Sequence, residues 1–431
     1  AAHTVGHGLG ATPNMVISKN LDAADTWQVY HSGAGIQAGT SGTLLKYGGH
    51  LDSSAAFNTS AGTHGAWENP SSTALTFSNG SSSIDNLNTN NEDYIAYCFA
   101  DIDGFSKFSA YEGNGSANGP IVETGFEPAF VLVKGTSHSG SWIIFDNKRN
   151  TTNPRTKILY ADSNAADTTN ANIKVDFLSN GFQLTGTDTD YNGDGRTYIY
   201  MAFAADPDEV APTLASSFNI EAYTGNDGTQ DIDVGFKPGL VWLKNRNNSS
   251  DSTYDHSLFD NLRDTFRVRS NSSDAANDYA SHYGGINDNG FQVKDGLALN
   301  DNGAPYVAWT WKADDNEPTI FNGSARTVYK FEDNANDVTG AYNATASNVS
   351  YVTGYFNKAA EFNGSNSTMF LASSGSSLVD YDLDFSISLW FNVSSWATVA
   401  STDFLWTGGG TRIINMTLTG STGLQVDIWN S

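Results

Sequence analysis

The chain has 431 residues, 39% of them hydrophobic and 12% aromatic but only 16% charged, and Gly, Asn, Ser and Thr interrupt nearly every window, which favours turn-rich β domains over helical bundles. Lys and Arg number 22 against 47 Asp and Glu, a net of −25; without cations to displace phosphate counterions, nucleic acid is a poor partner, and an anionic membrane is equally disfavoured. One cysteine, Cys98, cannot build a disulfide framework, and no apolar run approaches the ~20 residues of a membrane span.

The opening AAHTVGHGLG lacks the basic start and apolar core of a signal peptide. Next comes GATPNMVISKN, from residue 10, and the phrase returns as GFEPAFVLVKG from 125 and GFKPGLVWLKN from 235. Each reads Gly-X-X-Pro, a small or polar residue, an apolar strand and Lys. A second segment follows each: TWQVYH (26–31), SWIIFDNKR (141–149) and HSLFDNLR (256–263). A third, FLSNGFQL (177–184), matches INDNGFQV (286–293); the last is YIAYCFA (94–100), YIYMAFA (198–204) and YVAWTWK (306–312). A leading strand, FSAYEGNG (108–115) or FNIEAYTGNDG (218–228), opens the second and third units. The first unit begins at its second element.

Three tandem β-sandwiches of about 100 to 110 residues each are therefore predicted, spanning 1–104 (first strand missing), 105–210 and 215–314. The linkers ADIDGFSK (100–107), ADPDEVAPTLASS (205–217) and ADDNEPTIFNG (313–323) separate them, and the two that carry proline predict semi-rigid spacers and an extended row of beads.

In the second unit, DTDYNGDG (188–195) reads like the first half of an EF-hand loop, with Asp188, Asp190, Asn192 and Asp194 as oxygen ligands and a glycine for the turn. The equivalent stretches hold Asn300, Asn302 and Gly303 before Tyr306, and Asn88, Asn90 and Asn91 before Tyr94. The shared part is thus a tight turn before a strand. A structural calcium ion held by the four named residues is the alternative. It would stiffen one module without catalysing anything.

From about 319 the pattern changes. YKFEDNANDVTG, KAAEFNGS and DFSISLWFNV, in that order and spacing, resemble the laminin-G-like, or concanavalin A-like, jelly-roll family. The resemblance covers 319–431 and implies an incomplete jelly roll, with Asp333 and Asp337 in the acidic segment that opens such folds. The three repeats, through GFEPAFVLVK, SWIIFDNKR, SNGFQL and YIYMAFA, resemble an uncharacterised β domain of marine bacteriophage structural proteins. That resemblance implies a virion surface appendage, a tail fibre or related fibre, that spaces and attaches. It further implies a homotrimer and contacts with other virion proteins and with a host cell-surface glycan or protein. A purely structural virion component, such as a capsid decoration or tail scaffold protein, and a bacterial surface adhesin are the alternatives.

No catalytic constellation accompanies this. The eight histidines show no HExxH spacing. No Gly-X-Ser-X-Gly elbow or phosphate-binding loop occurs, and carboxylate pairs can be judged only in space. The chain is therefore read as non-enzymatic. His256 aligns with Trp142 and reads as a packing position. Trp27, Trp142, Trp242, Trp309 and Trp311 read as core, while Trp67, Tyr191, Tyr254 and Tyr283 stand in loop-like contexts suited to stacking on sugar rings.

Overall fold

The computed structural model describes residues 3–38, 44–46, 48–57, 70–77, 87–204, 217–247, 252–294, 296, 298–312, 329, 331, 333–336, 343–353, 358–363, 365–370, 402–406, 414–419 and 423–428. It is an all-β protein of antiparallel sheets. It divides into two compact units, 1–322 and 323–431.

Within the first unit one ladder occurs three times. The strand that ends near the lysine (Met15–Asn20, Pro128–Gly135, Pro238–Asn245) pairs on one side with a short second strand (Gln28–His31, Ile143–Asp146, Ser257–Asp260). On the other side it pairs with the closing strand (Tyr94–Phe99, Thr197–Ala204, Pro305–Lys312). In the second and third repeats a leading strand, Ser106–Glu112 or Phe218–Thr224, pairs with the outer edge of the closing strand. A small second sheet lies over each of these two: Ile121–Glu123, Gly181–Leu184 and Val175–Leu178, and Gln230–Asp233, Gly290–Val293 and Tyr283–Asn287.

Both faces of the inner strands are buried, so they read as unbroken apolar runs. Alternate residues divide between two cores. Tyr198, Tyr200 and Ala202 face the second repeat's own sandwich core, and Val241 and Leu243 face that of the third. The opposite faces converge. Met15, Ile17, Trp27 and Val29 of the first repeat, Phe130, Leu132, Trp142 and Met201 of the second, and Leu240, Trp242, Trp309 and Trp311 of the third belong to one hydrophobic cluster. The closing strands bring Phe99, Phe203 and Trp311 together with ring centroids 6.1, 5.6 and 6.1 Å apart, within the range of favourable edge-to-face packing.

The three repeats are therefore not beads on a string: they are three sandwiches closed around a shared core. The extended row read from the proline linkers is corrected by this packing. A linker's stiffness does not set domain spacing when each sheet has a second apolar face to hide. Most of the proline-bearing linkers, 205–216 and 313–323, fall outside the described residues.

Among its described residues the second unit shows two antiparallel pairs, Thr345–Ser347 with Thr368–Phe370 and Val349–Thr353 with Lys358–Phe362, and a three-stranded sheet with Ile414–Thr419 between Thr402–Trp406 and Gly423–Ile428. The KAAEFNGS phrase is a strand followed by a turn in which the Asn363 side-chain oxygen accepts from the amides of Ser365, Asn366 and Ser367. Asp333 is exposed and pairs with Lys358 at 2.6 Å. Asp337, Trp67 and the DFSISLWFNV stretch lie outside the described residues.

Candidate functional site

The opening motif of the second repeat forms a turn. Asp188 caps the one-turn helix Thr189–Asn192, its carboxylate accepting from the Asp190 amide at 2.9 Å. Asn192 is fully buried. Its Oδ1 accepts from Asn114 N, and its Nδ2 donates to Ser116 O and Gly186 O at 2.9 and 2.8 Å. Asn300 does the same in the third repeat, accepting from Asn226 N and donating to Gly228 O. The residue three positions after this asparagine takes a left-handed backbone in all three repeats: Asn91 at φ 62°, Gly195 at 66° and Gly303 at 76°. The tyrosine that follows locks the turn. Its hydroxyl accepts from the amide five residues earlier: Thr89 to Tyr94, Gly193 to Tyr198 and Asp301 to Tyr306.

Asp194 is exposed and Asp190 half-buried; burial, then the neighbouring Asp188, raises the Asp190 carboxyl's pKa. Of the four residues read as calcium ligands, then, Asp188 and Asn192 already serve as cap and staple. Among the described residues no group of three His, Cys, Asp or Glu stands in metal-binding proximity.

The aromatics read as candidate sugar platforms are mostly interior. Tyr191 and Tyr283 are wholly buried and Tyr254 nearly so. The Tyr191 hydroxyl bridges the backbone N and O of Lys174, and Tyr283 stacks on Phe259 at 3.7 Å. Tyr191 and Tyr254 lie in single helical turns, which have no strand register to reveal burial, whereas Tyr283 opens a short strand paired with Gly290–Val293.

What the fold does concentrate is chemistry at the junctions between repeats. Each junction uses equivalent positions, and each set of contacts closes a ring. At the start of the second strand, Trp27 Nε1 donates to Arg269 O (2.7 Å), Trp142 Nε1 to His50 O (2.8 Å) and His256 Nε2 to Tyr160 O (3.0 Å). Repeat one thus reaches three, two reaches one, and three reaches two. His256 is the packing residue its alignment implied: it is fully buried and its Nδ1 accepts from Trp242 Nε1 at 2.9 Å.

Just beyond each acceptor, an arm crosses to the neighbouring repeat. Phe57 N donates to Thr136 O, Asp167 N to Arg246 O and Ala276 N to Leu21 O. The arms share a pattern: LDSSAAF, ADSNAAD and SNSSDAA.

The end of the second strand provides a third ring of contacts. Asp146 accepts from Arg149 Nε at 2.5 Å and from Trp309 Nε1 at 3.1 Å. Asp260 accepts from Arg263 Nε at 2.7 Å and from the Tyr97 hydroxyl at 2.8 Å. In the first repeat the position is His31, whose Nδ1 accepts from Gly33 N and whose Nε2 donates to Tyr200 O, each at 3.0 Å.

Lys19, Lys134 and Lys244 complete the set. All three are buried, and desolvation brings each down to about 8, against the pull of nearby aspartates. Their ammonium groups are met by backbone carbonyls: Asn20 and Ala23, Ser54 and Gly140, and Asn245 respectively. Ser54 belongs to the arm of repeat one. Asp52 lies near Lys19, and burial lifts its carboxyl to about 6. Of the three lysines, Lys134 ties repeat two to the arm of repeat one, whereas Lys19 and Lys244 brace the ends of their own strands.

A family model described as a domain of unknown function, DUF7483, matches residues 1–207 and 214–370. The chain belongs to the DUF7483 family. The first matched segment of this DUF7483 protein covers repeats one and two, and the second covers repeat three and continues into the second unit. No curated protein and no solved structure matches the chain.

Proposed function

We propose that this DUF7483 protein is a non-enzymatic structural and attachment component of an extracellular assembly, a bacteriophage virion appendage being the setting that its repeat and carboxy-terminal phrases resemble. The observation that carries the reading is the fate of the interior polar groups. Asp146, Asp260, His31, His256 and Lys134 are consumed in joining one repeat to the next, and Lys19 and Lys244 are held by carbonyls of their own repeats. A reactive centre needs such groups aimed at a substrate instead. The net charge of −25 suits a soluble particle surface in a salty medium.

In this reading the first unit is a rigid body, and the second, read as a laminin-G-like jelly roll, meets a host-surface glycan or protein. Many copies on one particle convert weak contacts into firm attachment. The threefold arrangement expected of a homotrimeric fibre is supplied here inside one chain, which favours a body that need not trimerise through this unit. The test is a glycan array probed with the whole chain, with and without EDTA, beside antibody labelling of intact particles. Retention on glycans or on host cells, with no sugar released, is expected. Release of reducing sugar, or absence of the chain from particles, overturns the reading.

A further inference from the structure

The closing strand is the last rung of the inner sheet in the first repeat and an interior rung in the other two. Thr197–Ala204 and Pro305–Lys312 are each covered on their outer edge by a leading strand. Among the described residues, Tyr94–Phe99 pairs only with Met15–Asn20 and ends its sheet. Burial follows. Ile199 to Phe203 and Val307 to Trp311 are all buried, whereas in Tyr94–Phe99 only Ile95 is, and Ala96, Tyr97, Cys98 and Phe99 stay half-exposed.

The backbone is arranged to match. Asn14 N donates to Phe99 O and Leu21 N to Asp93 O, so the odd-numbered groups serve the inner neighbour. Strand alternation then turns the amides of Ala96 and Cys98 toward the open edge. An open edge with half-buried apolar residues is a template for a further strand.

We propose that this edge is a docking site for an antiparallel β-segment with an apolar third residue, alanine fifth and tyrosine sixth. The pattern is given by the two segments that fill the equivalent place, SKFSAYE and FNIEAYT. Phe108 lies opposite Met201 and Ile220 opposite Trp309, and both enter the shared core. Tyr111 stacks on Tyr198 at 5.2 Å and Tyr223 on Tyr306 at 5.0 Å. On the open edge the third residue of the segment meets Tyr97 and its tyrosine meets Tyr94. The occupant is a peptide segment of this chemistry presented by a partner protein. The inference stands whether or not the body belongs to an appendage.

The experiment titrates the whole chain with fluorescein-labelled SKFSAYE and FNIEAYT and follows amide exchange. Ser109 and Tyr111 occupy the ladder positions that face the closing strand, while the Phe108 amide turns away to Asp101. N-methylation at the Ser109 and Tyr111 equivalents is therefore expected to weaken binding at least tenfold. N-methylation at the Phe108 and Ala110 equivalents should leave it within about twofold. Bound peptide should slow exchange of the Ala96 and Cys98 amides at least tenfold. Equal loss from both methylation patterns, or no peptide-dependent protection, overturns the proposal. So does protection of Ala96 and Cys98 already present in the peptide-free monomer, or arising only with dimerisation in sedimentation, since each assigns the edge to another occupant.

Discussion

At two junctions of the first unit, a buried carboxylate holds the end of the second strand; at the third, an imidazole does. Asp146 and Asp260 each cap the following turn, bind an arginine three residues on and receive a donor from the neighbour's closing strand. His31 caps its turn through Nδ1 and reverses the polarity of the cross-repeat bond, donating to Tyr200 O. The difference follows from what the neighbour offers. Trp309 and Tyr97 bring side-chain donors, whereas Met201, at the equivalent place, has none, so the backbone carbonyl beside it becomes the partner and the residue across must donate. One packing solution thus tolerates exchange of residue types where the hydrogen-bond polarity is exchanged with them.

The sharpest way to break this comparison is to remove the shared core beneath it. Trp309 is fully buried, lies 5.9 Å from both Phe130 and Trp242, and reaches Asp146. Trp309→Ala is expected to cost about 4 kcal/mol and to lower the urea midpoint of the whole 1–322 unit in one transition. Unfolding of the third repeat alone, with the first two retaining their midpoint, would show that the cores are separable. Next in size is the ion pair. Asp146→Asn leaves the Arg149 guanidinium, whose side chain has 0% exposure, without its closest counter-charge, for about 3 kcal/mol. His31→Ala removes two neutral hydrogen bonds and is expected to cost about 2 kcal/mol. Denaturant curves that rank His31→Ala above Asp146→Asn would overturn the equivalence of roles.

The recurrence of the strands was legible because phrases such as GFEPAFVLVK and GFKPGLVWLK keep both faces of an inner strand apolar, and the same fact carried an unread signal. A strand of a two-layer sandwich with one wet face alternates; Phe130 to Val133 does not, because Phe130 and Leu132 face the shared core while Val131 and Val133 face the sandwich. Unbroken apolar runs in an antiparallel repeat therefore ask for a third layer. The arms were illegible for the opposite reason. LDSSAAF and ADSNAAD are polar, short and aperiodic, and their role lies in a few polar bonds, mostly through backbone atoms, to a repeat about 80 residues away in sequence. Asp188 and Asn192 could be read as ligands because cap, staple and ligand all need a side-chain oxygen at the same spacing. What the fold adds is the donors these oxygens meet, Asp190 N and Asn114 N.

The turn that carries the four candidate calcium ligands provides a smaller test. Gly195 and Gly303 hold positive φ, and a Cβ added at either would have nothing within 4 Å, so a side chain there meets strain and not collision. Gly303→Ala is expected to cost about 1 kcal/mol. The reciprocal Asn91→Gly, at φ 62°, relieves a mild strain and is expected to be neutral or slightly stabilising. A loss from Asn91→Gly as large as that from Gly303→Ala would mean that the asparagine side chain, and not backbone conformation, holds the first repeat's turn.

The last effect belongs to the lysines, and its sign is unusual. Burial holds Lys19, Lys134 and Lys244 at about 8, below the ordinary 10.5. Between those values the unfolded chain binds more protons than the folded one, so folding gains stability as pH rises through this window. Buried tyrosines such as Tyr111, Tyr223 and Tyr283, held well above their usual value of 10, act the other way once the unfolded chain begins to lose its phenolic protons. Stability is therefore expected to climb from pH 8 to about 9.5 and fall beyond 10. Lys134→Met, which keeps the stem and deletes the charge, should flatten about a third of the climb in chemical denaturation series. A climb of unchanged slope in that variant would mean that the Ser54 and Gly140 carbonyls replace water well enough for the ammonium to stay charged throughout the window.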